Sequence, residues 1–237
     1  MLYRVITLSQ VSEPRTPTLV GVAHGTRNRA GVAEIERLAE LVRSTRPGVE
    51  ARLCWLELAS PLLPDLLAGS TGPVVVVPLL LSTGYHVKID ITTGVGERPG
   101  TAVAGQLGPD PRITGVVVQR LREAGGVPAA GVVLFGSGSS DPEAAENLAA
   151  VAAQLEQQAG CRAYPRFLTD ERWEDGLPPG LGVANYLLAP GYFHDRLQTL
   201  ARTTLGLDRV AEPIGAHPAV AEVIWDRYDS AAGTLRT

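Results

Sequence analysis

Two hydrophobic periods alternate along the chain. Thr18 to Ala23 (TLVGVA) is a short apolar run before a glycine and predicts a buried strand. The polar stretch HGTRNR follows. Residues 31–45 then place Val32, Ile35, Leu38, Ala39 and Val42 on one helical face, with Glu34, Glu36, Arg37 and Arg43 elsewhere. Pro47-Gly48 ends that helix. Ala51 to Leu58 predicts a second strand, and a short helix follows Pro61. Val74 to Leu81 predicts a third strand; its unbroken β-branched run fits the middle of a parallel sheet. STGYHVKID reads as a loop. A strand near Thr101 to Ala104 and a helix over 112–124, with Ile113, Val116, Val117 and Leu121 aligned, complete the series.

The same order then starts again. Gly131 to Gly136 (GVVLFG) predicts a strand, and Asp141-Pro142 is an N-cap and first-turn proline opening a helix over 142–158. Cys161 to Leu168 and Val183 to Ala189 predict strands; helices cover about 195–205 and 218–231. Residues repeat as well as elements. LGPDPRITGVVVQRLREAG from Leu107 resembles IGAHPAVAEVIWDRYDSAAG from Ile214, and PLLLSTGYHVKID from Pro78 resembles APGYFHDRL from Ala189. In that second pairing His86 falls on His194, and GVAHGTRN falls on LFGSGSSD, placing Ser137 where His24 stands. The expected fold class is therefore α/β: two similar domains from an internal duplication, each a mostly parallel sheet flanked by helices. The boundary falls in Gly125 to Ala130, giving domains of 1–125 and 126–237.

Composition adds exclusions. At 237 residues, with 45% apolar and 19% charged positions, the chain is long enough for a substantial core and too apolar for disorder. The net charge of −4 argues against a nucleic-acid partner. That charge is uneven, +2 over 1–125 and −6 over 126–237, so an anionic ligand suits the first half better. Cys54 and Cys161 make neither a disulfide framework nor a zinc cluster, and a reducing, cytoplasmic setting is expected. The first residues lack a signal-peptide core, and the longest apolar run has eight residues, so no membrane association is expected.

Ligands of doubly wound sheets sit beyond the carboxyl ends of the strands. Three titratable residues fall there in the first repeat: His24 after strand one, Glu57 near the end of strand two and His86 after strand three. Two imidazoles and a carboxylate suit a borderline divalent metal, and the same groups accept protons near neutral pH. Each also has a plain reading as a cap, a turn residue or a solvated charge. In the second repeat, Ser137 replaces His24 and Phe167 roughly replaces Glu57, leaving His194 alone, which points to one working site in 1–125. His217 and Asp110 both precede proline at a helix start and read as caps. Gly136 to Asp141 partly matches a dinucleotide loop, but the third glycine is missing and Asp141 would face the pyrophosphate. No G-x-S-x-G elbow or phosphate-binding P-loop motif is present.

VGVAHGTRN, CWLELASP and VVVVPLLLSTGYHVKIDI, in that order, resemble the sirohydrochlorin chelatases of the CbiX/SirB type, the class II tetrapyrrole chelatases. The resemblance is strong over 18–124 and weaker to about 232. It implies two α/β domains facing across a cleft, built as a homodimer in single-repeat members and within one chain in double-length ones; this chain would be a monomeric pseudo-dimer. It implies an enzyme of the lyase class that inserts Fe²⁺ or Co²⁺ into sirohydrochlorin without ATP, for sirohaem or cobalamin. His24, Glu57 and His86 would bind the metal and take the pyrrole protons. The metal and the tetrapyrrole would be substrates, with no permanent cofactor. Arg27, Arg29 and Lys88 would receive substrate carboxylates, and Ser82, Thr83 and Gly84 would bring backbone close to the macrocycle. A non-catalytic carrier of metal or tetrapyrrole is the alternative.

Overall fold

A computed structural model describes residues 16–82, 84–139, 141–207 and 210–235, with backbone alone for 85–88. In the first half, β1 (Thr18–Ala23), α1 (Arg29–Thr45), β2 (Ala51–Trp55), α2 (Leu63–Ala68), β3 (Val74–Pro78), α3 (Tyr85–Val95), β4 (Thr101–Val103) and α4 (Pro111–Glu123) follow in order. The second half contains β5 (Val132–Gly136), α5 (Pro142–Ala159), β6 (Ala163–Phe167), β7 (Gly182–Asn185), α6 (Tyr192–Thr204) and α7 (Pro218–Thr234). The strands form two parallel sheets, ordered β2-β1-β3-β4 and β6-β5-β7. The first strand of each half is thus flanked by the next two, in the same arrangement.

Alternation along β1 and β3 sets the layers. Leu19, Ala23, Val75 and Val77 face α1 and α7, joining Ile35, Leu38 and Ile224. Val20, Val22, Val74 and Val76 face the other way, against Leu63, Leu66 and Leu67 of α2 and Ile91 of α3. In the second sheet, Val132 and Leu134 meet α5, while Val133 and Phe135 meet Trp173 and Leu197 of α6. Two helices cross between the halves: α4 packs on α5 and β7, and α7 packs on α1, β3 and β4.

The largest local difference from the sequence reading is α3. The stretch 82–90 was expected as a loop, yet helix begins at Tyr85, so the backbone of His86 and Lys88 lies in a first helical turn. The apolar period is masked by Thr92, Thr93 and Gly94, all poor helix formers. Packing overrides propensity: a Cβ at Gly94 would lie 3.0 Å from Leu63 Cδ2, so glycine lets α2 and α3 approach. Strands β2, β3 and β7 also stop earlier than expected, at Trp55, Pro78 and Asn185.

Buried polar contacts fasten the crossed helices. Asp110 caps α4 by accepting from Arg112 N at 3.0 Å. The Arg112 guanidinium grips the same carboxylate through two bonds of 3.0 Å and reaches Asp226 of α7 at 2.7 Å. Arg227 of α7 lies 3.6 Å from Asp110 and donates to the Gln106 and Leu107 carbonyls. On α1, Glu34 accepts from Ala216 N at 2.6 Å and pairs with Arg37. Burial pushes the Asp110 carboxyl upward, but the Arg112 hydrogen bonds and the charges of Arg112 and Arg227 outweigh it and hold it below its ordinary value. A carboxylate depressed in the folded state stabilises at higher pH and loses that contribution as pH falls through its folded value. Asp110→Ala is therefore expected to cost about 2 kcal/mol at pH 7. Denaturant melts should show the gap between variant and wild type narrowing below pH 3.8.

Candidate active site

The site is built where β1 and β2 leave their sheet. Leu56 N donates to Ala23 O at 2.9 Å and Glu57 N to His24 O at 3.0 Å, so pairing runs past the strand ends. His24 is the first residue after β1, and Gly25 turns the chain at φ 112°. A Cβ at Gly25 would collide with the Glu57 carbonyl oxygen, so only glycine fits this turn. The result is a pair: His24 Nδ1 stands 3.5 Å from Glu57 Oε1, both side chains a little more than half exposed. Asn28 then opens α1, accepting from Ala30 N and Gly31 N at 2.9 and 3.2 Å. The side chains of His86 and Lys88, and Thr83 altogether, lie outside the described residues. Among the described residues no cluster of three His, Cys, Asp or Glu side chains forms a metal cage.

His24 and Arg27 open onto a cavity of about 830 Å³. Trp55, Leu58, Leu79 and Leu80 line it from the first half, and residues 187–195 from the second. Its walls are largely apolar, and Gly31 brings the halves into contact: a Cβ there would collide with the Pro190 carbonyl. Arg29 is exposed at the start of α1 and is not on this wall. Leu79, Leu80, Leu187 and Leu188 also line a smaller cavity of about 160 Å³ with Ser82, Ser137 and Tyr186. Gly84 faces Ser139, its would-be Cβ 3.3 Å from that hydroxyl. Ser82 and Gly84 thus meet the 137–139 turn, and neither lines the cavity that His24 opens onto.

The second half repeats the turn without its chemistry. Ser137 follows β5 as His24 follows β1, and Gly138 has φ 116° beside Gly25's 112°. Register identifies the counterpart of Glu57. Ala23 pairs with Trp55 and Gly136 with Phe167; Leu56 N bonds Ala23 O as Leu168 N bonds Gly136 O. Glu57 therefore corresponds to Thr169, correcting the sequence alignment that placed Phe167 there; β6 starts two residues later than expected. His194, in the first turn of α6, is buried. Asn185 Nδ2 donates to Ala211 O at 3.1 Å, which fixes that amide, and the same nitrogen lies 3.1 Å from His194 Nδ1. His194 Nε2 lies 2.9 Å from the Gln198 side-chain nitrogen, so both ring nitrogens are occupied by side-chain amides of the second half.

Asp110 and His217 are helix caps, as their sequence positions suggested; His217 Nδ1 accepts from Ala219 N at 3.2 Å. Burial and the nearby Arg120 charge lower the His217 pKa, consistent with a neutral acceptor ring. Asp141 caps α5 by accepting from Glu143 N at 3.0 Å, so a carboxylate sits where a dinucleotide phosphate would. Sequence reasoning missed Leu58 and Tyr192, both exposed and both on the large cavity. Exposure of a Leu or Tyr has no signature in a sequence.

The His24–Glu57 pair stands beyond the carboxyl ends of parallel strands, where open α/β sheets bind their ligands. A family model described as CbiX matches residues 18–124. The sirohydrochlorin ferrochelatase of Priestia megaterium is 32% identical over 147 residues, covering 56% of this chain and 55% of that protein. The sirohydrochlorin cobaltochelatase of Methanopyrus kandleri is 28% identical over 136 residues, 45% of this chain and 95% of that one. The crystal structure of the sirohydrochlorin chelatase SirB from Bacillus subtilis subspecies spizizenii, in complex with cobalt, has the same fold: TM-score 0.72, 23% identity, 93% of this chain and 97% of that one covered. Residues 18–124 of the chain are thus similar to the CbiX family. Its matched stretch spans little more than half the length of the Priestia megaterium relative.

The Gly25 contact yields a test. Gly25→Ala is expected to cost at least about 2 kcal/mol, since it needs both a left-handed backbone and a collision. Gly48→Ala, with nothing within 4 Å of its added Cβ, should stay within about 0.5 kcal/mol of wild type in the same denaturant melts.

Proposed function

We propose that this chain is an ATP-independent sirohydrochlorin chelatase, inserting Fe²⁺ or Co²⁺ into the free-base macrocycle. The observation that carries this reading is the His24–Glu57 pair, 3.5 Å apart at the edge of an 830 Å³ cavity with largely apolar walls. Insertion replaces two pyrrole N–H protons with one divalent ion, so a site needs a metal ligand that also accepts protons. With Nδ1 turned to the Glu57 carboxylate, the His24 ring presents Nε2, whose lone pair binds a metal or takes a proton. Glu57, 3.5 Å away, favours that tautomer and stabilises the ring when protonated. His86, by family resemblance, is the second histidine. Protons leave readily because the pair is half exposed. The cavity lies within the usual range for sites enclosing a sizeable ligand, about 300–1,000 Å³. Arg27 on its wall is placed to meet a substrate carboxylate.

The two sheets with equivalent strand order, and the paired turns at Gly25 and Gly138, support an internal duplication into 1–125 and 126–237 facing across this cavity. In this reading the chain works as a monomeric pseudo-dimer in the cytoplasm, and only the first half keeps the metal pair. The relatives include both an iron and a cobalt chelatase, so both metals belong in the test.

The test is anaerobic insertion followed by sirohydrochlorin absorbance, with Fe²⁺ and Co²⁺ separately. His24→Ala is expected to lower the rate about 10²- to 10⁴-fold. Glu57→Gln should lower it about 10- to 100-fold. The ratio of wild-type rates ranks the metals. A wild-type protein that binds metal yet adds nothing to the uncatalysed rate would replace this reading with the carrier.

A further inference from the structure

Two large side chains on the cavity wall lack a structural reason for their position. Tyr192 is 69% exposed at the first position of α6, touching Phe193 edge-on with ring centroids 5.3 Å apart. Leu58 is 50% exposed and holds φ 62°, a left-handed backbone that a leucine rarely adopts. Core packing explains neither, because half of Leu58 and most of Tyr192 face water. A glycine at 58 would relieve the strain, and a polar residue at 192 would suit solvent better. Strain and exposed apolar surface that persist together at a cavity mark a ligand contact. Both residues line the large cavity that His24 opens onto, and they come from opposite halves of the chain.

We propose that Leu58 and Tyr192 are the apolar contacts that hold the flat face of the tetrapyrrole macrocycle over the His24–Glu57 pair. The inference rests on the sirohydrochlorin reading above and assigns the halves different work. The first half carries the metal pair and one apolar contact. The second half, with Ser137 and Thr169 in place of His24 and Glu57, contributes an aromatic wall. An aromatic ring suits an extended π-system because offset stacking is favourable and few rotamers are frozen. Neither residue touches the metal, so their loss should affect macrocycle binding and leave metal binding intact.

The experiment measures metal-free sirohydrochlorin binding by absorbance and Co²⁺ binding by calorimetry, separately, for wild type, Tyr192→Ala, Tyr192→Phe and Leu58→Gly. Tyr192→Ala and Leu58→Gly are each expected to weaken macrocycle binding about 10-fold, with Co²⁺ affinity unchanged. Tyr192→Phe should restore wild-type binding, since the ring and not the hydroxyl is used. Leu58→Gly should leave the melting temperature unchanged or raise it, because glycine accepts φ 62° without strain. A simple folding defect would move melting temperature and both affinities together. Macrocycle binding that is unchanged in both variants, with wild type binding normally, overturns the inference and leaves the chelatase reading standing. A wild type that binds Co²⁺ but no sirohydrochlorin overturns both.

Discussion

The close approach of the turn after β1 to the turn after β2 is the constraint on which the site depends. Two parallel strands run out of their sheet together, with Glu57 N still paired to His24 O. Gly25 must then pass directly against the Glu57 carbonyl. This backbone geometry brings the stems of an imidazole and a carboxylate together, and the two groups stand 3.5 Å apart with both side chains about half exposed. This explains how so exposed a pair keeps its geometry. The side chains sit just beyond strands that end in buried residues, Val22 and Ala23 in β1 and Cys54 and Trp55 in β2.

The second half shows what the same backbone does without those side chains. Gly138 repeats the turn, but Ser137 and Thr169 stand in for the pair. His194 is buried between Asn185 and Gln198, serving the fold. Yet the halves are not independent. Helix α7 covers the first sheet, where Trp225 Nε1 donates to Thr45 Oγ1 and Arg46 grips Asp229 through two bonds of 2.8 Å. Helix α4 covers the second sheet. Each sheet buries one face with a helix from the other half. The proposed site in the first half therefore relies on the second for its core as well as for a wall of its cavity.

Much of this was legible in the sequence. β1 was expected at the residues where it lies, and α1, α4, α5 and α7 within a few residues, because apolar periodicity and proline or Asp caps mark them. His24 and Glu57 were legible because each follows a β-rich run, where parallel sheets present ligands. The helix carrying His86 was not legible, since Thr92, Thr93 and Gly94 hide its period and only the packing of Leu63 against Gly94 restores it. The match of Glu57 to Thr169 needed strand register, which a residue-by-residue alignment lacks. Leu58 and Tyr192 needed solvent exposure and backbone angle, both properties of the folded chain.

The central claim is that one half alone handles the metal, through His24 and Glu57. Anaerobic Co²⁺ titration followed by calorimetry and by the cobalt absorption bands counts the sites directly. One ion per chain in wild type, lost in His24→Ala and retained in Ser137→Ala, is the predicted result. Two ions per chain, or one ion bound equally well without His24, would contradict the account.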